Sequence, residues 1–262
     1  MDFIFGDIHG CYDELVALIE KCTEHHKKHA PEETLRFISC GDLIDRGPKS
    51  KEVIDLFIEN ENFFAIAGNH EQEFVSLAKV FAKDSFSKNT KLPVWVHDLE
   101  KQYEEHKHEM QESFVDYTEG KLSNWIVQGG KEFIQSFELE PLKPDTWTFD
   151  KKYIDFFLNL DLIFEGDNYI LTHALILNEQ QESLEQNKIE TIEQADHFLW
   201  NRRAKNIYTH PDKLMISGHT PFFEGAKWRK NKKVLQLDTG CCYGEKLTAW
   251  CNDGTLLEQE KV

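Results

Sequence analysis

Five short blocks of the 262-residue chain set carboxylate, amide and imidazole groups where apolar runs end. They are Gly6-Asp7-Ile8-His9-Gly10, Gly41-Asp42-Leu43-Ile44-Asp45-Arg46-Gly47, Gly68-Asn69-His70-Glu71, Thr172-His173-Ala174 and Gly218-His219-Thr220. Mixed oxygen and imidazole donors suit divalent manganese, iron or zinc better than a thiolate-selective site or an all-oxygen calcium site. Asp7 and His9 stand two residues apart, so an extended or turning backbone can aim both at one cation. Asp42 has two oxygens to share between two ions, and Asn69, His173 and His219 could complete a second site. Taken singly, each fragment has a plainer reading. Asp7-Ile8-His9 resembles a helix-capping turn, Gly68-Asn69-His70 a turn, His173 and His219 core or surface residues, and Asp45 with Arg46 an internal ion pair. Their common place after apolar runs makes them one constellation, because ligands in open α/β sheets bind beyond the carboxyl ends of the strands.

The runs themselves are Phe3-Ile4-Phe5, Leu35 to Ile38, Phe63 to Ala67, Tyr169-Ile170-Leu171 and Leu214-Met215-Ile216, each read as a buried strand. Between the first two, Leu15, Leu18, Ile19 and Cys22 keep helical spacing; between the second and third, Val53, Leu56 and Phe57 do the same. That is a βαβαβ pattern, which calls for a largely parallel or mixed sheet. Residues 72–165 break the rhythm with charged, helical-spaced segments and read as a helical insertion, with aromatics such as Phe81, Phe86, Trp95, Tyr103, Phe114 and Trp125 serving as core. Near the end, Asn252-Asp253-Gly254 between two apolar runs predicts a closing β-hairpin.

Lysine and arginine number 30 against 47 acidic residues, a formal charge of −17 that disfavours nucleic acid as a primary partner. The basic run Lys227 to Lys233 is expected to be a solvated hairpin or loop, and the His25, His26, His29 group a solvated helix end. Six cysteines without a Cys-x-x-Cys pair predict reduced thiols and a cytoplasmic protein. No apolar run approaches the length needed to span a bilayer.

The blocks GDIHG, GDLIDRG, GNHE, THA and GHT, in this order, resemble the metallophosphoesterases of the phosphoprotein phosphatase family, and the bacterial and phage serine/threonine phosphatases most of all. The resemblance is dense over residues 6–75 and recurs at 172–174, 199–202 and 214–250. It implies an α/β (α+β) calcineurin-like fold: central mixed β-sheets flanked by helices, one metallophosphoesterase domain over 1–262, and the helical insertion within it. It also implies that Asp7, His9 and Asp42 hold a first metal, with Asp42 bridging to a second held by Asn69, His173 and His219. A hydroxide shared by two divalent ions, manganese first among the candidates, would attack the phosphate in line. Such a pair, about 3.5–4 Å apart, lowers the pKa of bound water toward about 7. His70 matches the family's general acid and Asp45 the group that orients it. Arg46 and Arg202 would fork onto phosphate oxygens, with Arg203 as the alternative if the register is off by one. Leu175 stands where the family usually has glycine, so the backbone beside His173 is expected to differ.

The activity expected from this resemblance is a phosphoprotein phosphatase acting on phosphoserine or phosphothreonine, with phosphotyrosine or a small phosphate ester as other substrates. The main rival is a symmetrical diadenosine tetraphosphate hydrolase, which GDIHGCYDEL and LDTGCCYG followed by LTA also resemble. Asp45, Glu71 and Thr220 depart from that enzyme's usual residues and favour the phosphatase. A third reading is an inactive scaffold that binds phosphorylated partners; the presence of His70 and Arg46, which metal binding alone does not need, speaks against it.

Overall fold

A computed structural model of the protein describes residues 1–110 and 112–261. The first half runs β1 (Asp2–Phe5), α1 (Tyr12–His29), β2 (Arg36–Ser39), α2 (Ser50–Glu59) and β3 (Phe63–Ala65), with β1 parallel to β2 and β2 parallel to β3. The helical stretch holds α3 (Asn69–Phe81), α4 (Leu99–His106), α5 (Phe114–Trp125), α6 (Lys131–Ser136) and α7 (Lys151–Leu158). Then come β4 (Ile163–Glu165), β5 (Tyr169–Thr172), α8 (Gln181–Glu185), α9 (Ile192–Trp200), β6 (Leu214–Ser217), β7 (Lys227–Arg229), β8 (Val234–Gln236), β9 (Lys246–Cys251) and β10 (Leu256–Glu260). The closing hairpin pairs β9 with β10, and the basic run supplies β7 and the turn that joins it to β8.

The five blocks are divided between two sheets. The strands form two five-stranded sheets, ordered β10-β9-β1-β2-β3 and β4-β5-β6-β8-β7. Alternation along each strand explains how they stack. Phe3 and Phe5 of β1 and Phe37 of β2 face the helical side, whereas Ile4 and Ile38 point the other way. There they meet Tyr169 and Leu171 of β5, Ile216 of β6 and Leu235 of β8. Ile170, Met215 and Val234, the alternate residues of those strands, face Phe198 of α9 and Leu184 of α8. The result is a four-layer sandwich, helix–sheet–sheet–helix, in which strands buried on both faces are apolar throughout.

The helices of residues 72–165 pack on the outer face of the first sheet. Phe74 of α3 has the rings of Phe133, Phe157, Phe149 and Trp125 at 4.5, 5.0, 5.1 and 6.1 Å, in the same buried cluster as Phe3 and Phe5. Trp95 and Phe86 are buried there as well. His25 does more than end a helix: its Nε2 lies 2.7 Å from Asp253 Oδ2 and ties α1 to the β9–β10 turn. No helix of the described residues is long and apolar enough to cross a membrane.

Candidate metal centre

Within each sheet the strands that carry the blocks are parallel, so their carboxyl ends lie on one edge: β1, β2 and β3 in the first, β5, β6 and β8 in the second. Face-to-face stacking then brings both edges to one rim. Turning so many side chains inward from strand ends forces the backbone. His9, Asp42, Asp45, Arg46 and His219 all adopt positive φ, between 46° and 72°, a conformation that non-glycine residues hold at a cost of order 1–3 kcal/mol each. Packing is correspondingly tight: a Cβ on Gly218 would come 1.9 Å from Asp7 Oδ1.

Asp42 sits at the middle. Its Oδ2 lies 3.5 Å from His9 Nε2 and 4.0 Å from His70 Nε2, while its Oδ1 lies 3.4 Å from His173 Nε2. Two three-donor clusters therefore share one carboxylate, His9–Asp42–His70 and Asp42–His173–His219, with the donor atoms of each within 4.8 Å of one another. His9 Nδ1 donates to the Ile44 carbonyl at 2.7 Å and His173 Nδ1 to the Cys40 carbonyl at 2.8 Å, which turns both Nε2 atoms inward. Asn69 Oδ1 stands between His173 Nε2, 3.0 Å away, and His219 Nδ1, 2.8 Å away. His219 Nε2 is buried with no hydrogen-bond partner among the described residues. Asp7 lies beside the two clusters, its carboxylate accepting from the His219 backbone N–H at 2.9 and 3.1 Å.

The electrostatics sort the histidines. Burial lowers the pKa of His9 and His173, and takes His219 down to about 2, so all three are neutral and ready to ligate. For His70 burial works the same way, but Asp42 and then Asp45 outweigh it and raise the imidazole above its ordinary value. His70 Nδ1 lies 2.6 Å from Asp45 Oδ2. Asp42 is held well below the usual carboxylate range: burial opposes ionisation, and His173, His70, His9 and His219 overcome it. Asp7 goes the other way, pushed up by burial and by the charges of Asp238 and Asp42.

Buried histidines whose lowered pKa values leave a ring nitrogen free toward Asp42 and Asn69, together with crowded carboxyls, fit a pair of divalent cations. The oxygen and nitrogen donors match borderline ions and no thiolate joins them. Arg46 extends Nη1 toward His9 Nε2 and places Nη2 2.9 Å from His70 Nε2. Of the two arginines after α9, both exposed, it is Arg202 that donates from Nη1 to the His219 carbonyl at 3.1 Å.

Three contributions are not apparent from the sequence, although Glu71 and Trp125 are themselves named above, Trp125 as a core ring. Asp238 follows β8 and is buried beside Asp7, its carboxyl pushed up to about 6 by burial first. Its signal was present, since an apolar run ending in Asp-Thr-Gly repeats the grammar of the other blocks. Glu71 accepts from the backbone N–H groups of Gly68, Leu43 and Asp42 at 2.7, 2.8 and 2.9 Å, clamping the loop that carries Asp42. Trp125 of α5 donates from Nε1 to Asp45 Oδ2 at 2.8 Å, and the next turn offers the Gly129 carbonyl to the Arg46 N–H at 3.0 Å. No local pattern announces Trp125, which reaches Asp45 across 80 residues of chain. Trp125→Phe keeps a ring in the core but removes the donor. A hydrogen bond to a charged group contributes about 1.5–3 kcal/mol, so kcat is expected to fall about 10- to 100-fold with metal content retained. Steady-state rates with metal analysis check this, and an unchanged kcat would detach Trp125 from the centre.

Comparison with known proteins places this geometry. The family model for calcineurin-like phosphoesterases matches residues 3–252. An asymmetrical bis(5'-nucleosyl)-tetraphosphatase of Bacillus subtilis is 27% identical over 252 residues, 94% of this chain and 88% of its own length. A symmetrical bis(5'-nucleosyl)-tetraphosphatase of Wigglesworthia glossinidia brevipalpis is 25% identical over 276 residues, 95% of this chain and 96% of its own. A solved serine/threonine phosphatase of Saccharomyces cerevisiae shares the fold with a TM-score of 0.54 at 15% identity, over 100% of this chain and 80% of that one.

Proposed function

The chain belongs to the calcineurin-like phosphoesterases, and from that premise we propose that it hydrolyses bis(5'-nucleosyl) tetraphosphates, cleaving asymmetrically to a nucleoside triphosphate and a nucleoside monophosphate. The observation that carries the hydrolytic part is Asp42, one carboxylate with an oxygen toward each donor cluster. The substrate class is supported by the relatives named for it, which align over most of their own length. This revises the expectation of a phosphoprotein phosphatase. Asp45, Glu71 and Thr220 separate the chain from the symmetrical enzyme alone. Glu71, moreover, clamps backbone N–H groups, so its identity reflects loop packing and not what is cleaved.

Asp7, His9, Asp42, Asn69, His173 and His219 would hold the cations, with Asp238 as a further neighbour of Asp7. A bound pair of divalent ions supplies acidified water and neutralises charge on phosphoryl oxygens. The chain's own groups do the rest. Arg46 and Arg202 orient the phosphate by forked hydrogen bonds, and His70 passes its Nε2 proton to the departing oxygen while Asp45 holds its Nδ1–H. Water adds to phosphorus as the phosphorus–oxygen bond to the leaving group breaks, and the water proton leaves to solvent.

A second reading is favoured by one observation. An imidazole whose pKa is raised by Asp42 and Asp45 against the effect of burial suits an alkoxide leaving group, as in a phosphoserine or phosphothreonine protein. The protein supplied with manganese, and in parallel with iron or zinc, should be assayed on diadenosine tetraphosphate with chromatographic separation of products. ATP plus AMP is the expected result. Two ADP would make it symmetrical; turnover of phosphopeptides alone would restore the phosphatase; no turnover of any phosphate ester would leave the inactive phosphoprotein-binding scaffold.

A further inference from the structure

Phe223 and Tyr243 stand 52% and 53% exposed on the rim of the centre, whereas Phe3, Phe5, Phe74 and Phe133 are fully buried. Two large rings left half in water side by side form an apolar surface that a flat occupant can cover. The two rings are neighbours, with centroids 5.8 Å apart at 67°. Each is tied to a loop of the centre: Phe223 follows the His219 block, Tyr243 follows Asp238, and the Phe222 N–H donates to the Asp238 carbonyl at 2.9 Å. The Phe223 ring rests on Gly240, where φ is 77° and an added Cβ would come 2.6 Å from Phe223 Cδ1. Arg46 Cζ lies 5.4 Å from the Tyr243 ring centroid, and this is the guanidinium whose other side faces His9 and His70. The charge of Arg202 also acts on the Tyr243 phenol. A ring pair one guanidinium away from the phosphate position is placed for the base of a nucleotide.

We infer that Phe223 and Tyr243 form a stacking platform for one nucleobase of a nucleoside polyphosphate whose phosphate is gripped by Arg46, a refinement that rests on the nucleotide reading above. A net charge of −17 gives a polyphosphate no long-range attraction, so affinity must come from contacts of this local kind. Base–aromatic stacking contributes about 1–3 kcal/mol per base and tolerates any base, because each has a π face.

The test uses the metal-loaded enzyme, Phe223→Ala, and Phe223→Trp, which restores a ring. Two readouts separate the platform from the substrate assignment. For diadenosine tetraphosphate, Phe223→Ala is expected to raise KM about 5- to 100-fold, with the loss carried by KM and not by kcat, and Phe223→Trp to recover it. For inhibition of p-nitrophenyl phosphate hydrolysis, AMP should bind the wild-type enzyme more tightly than inorganic phosphate, and Phe223→Ala should erase that advantage. Wild-type cleavage of diadenosine tetraphosphate with KM unchanged in Phe223→Ala overturns the platform and leaves the function standing. A Phe223-dependent AMP advantage without cleavage of the dinucleotide does the reverse. An AMP that inhibits the wild type no better than phosphate overturns the platform outright.

Discussion

His70→Asn is expected to lower kcat by a factor on the order of 10²–10⁴ for an alkyl phosphate while leaving metal content normal. The size follows from what the imidazole does: an alkoxide cannot leave without a proton, and removing a positioned acid forfeits that assistance. The loss should shrink with the leaving group. A departing phosphate has a pKa near about 6 and needs far less help, so diadenosine tetraphosphate should sit at or below the lower end of the range and a phosphoserine peptide near the upper. Comparing kcat on the two substrates in one preparation measures this slope directly. The structure makes the metal control informative, because His70 Nε2 lies in the same three-donor cluster as His9 and Asp42. If His70→Asn loses its metal, His70 is a ligand and the acid must be sought elsewhere.

Asp42→Asn is expected to be the more damaging change. Groups that only hold a metal's ligands in place already contribute about 10- to 100-fold, and a carboxylate shared by both clusters should exceed that, so activity should drop more than about 100-fold. The wild-type protein should gain about 5–10 °C in Tm when a cation is added at about 100 times its Kd, by mass action on the folded state. Asp42→Asn should lose most of that gain, since one neutral amide replaces the oxygen pair that faces His9 and His70 on one side and His173 on the other. Calorimetry with and without manganese, together with metal stoichiometry, checks it. A variant that keeps two ions and the full thermal shift would show that Asp42 does not bridge.

The donor chemistry of this centre was legible in one dimension because it is local. Asp7, His9, Asp42, Asn69, His173 and His219 each end an apolar run, and residue type together with strand periodicity is enough to say that cation ligands gather at strand ends. The βαβαβ half and the closing hairpin were legible for the same reason. Substrate preference was not, since one of the positions used to infer it, Glu71, answers to backbone clamping.

What the sequence determined by itself, then, was a set of candidate donor residues and the order in which the chain delivers them. Tertiary structure alone decided that two stacked sheets bring the ligands to one rim, that Asp42 divides its oxygens between two clusters, and that Asp238 lies beside Asp7. It also decided that Arg202 is the arginine that reaches the His219 carbonyl, and that Trp125 secures Asp45 from a segment with no motif. The reason is distance along the chain. The His219 N–H meets Asp7 across 212 residues and Trp125 meets Asp45 across 80, and such contacts depend on how whole layers pack, which no short window of residues encodes.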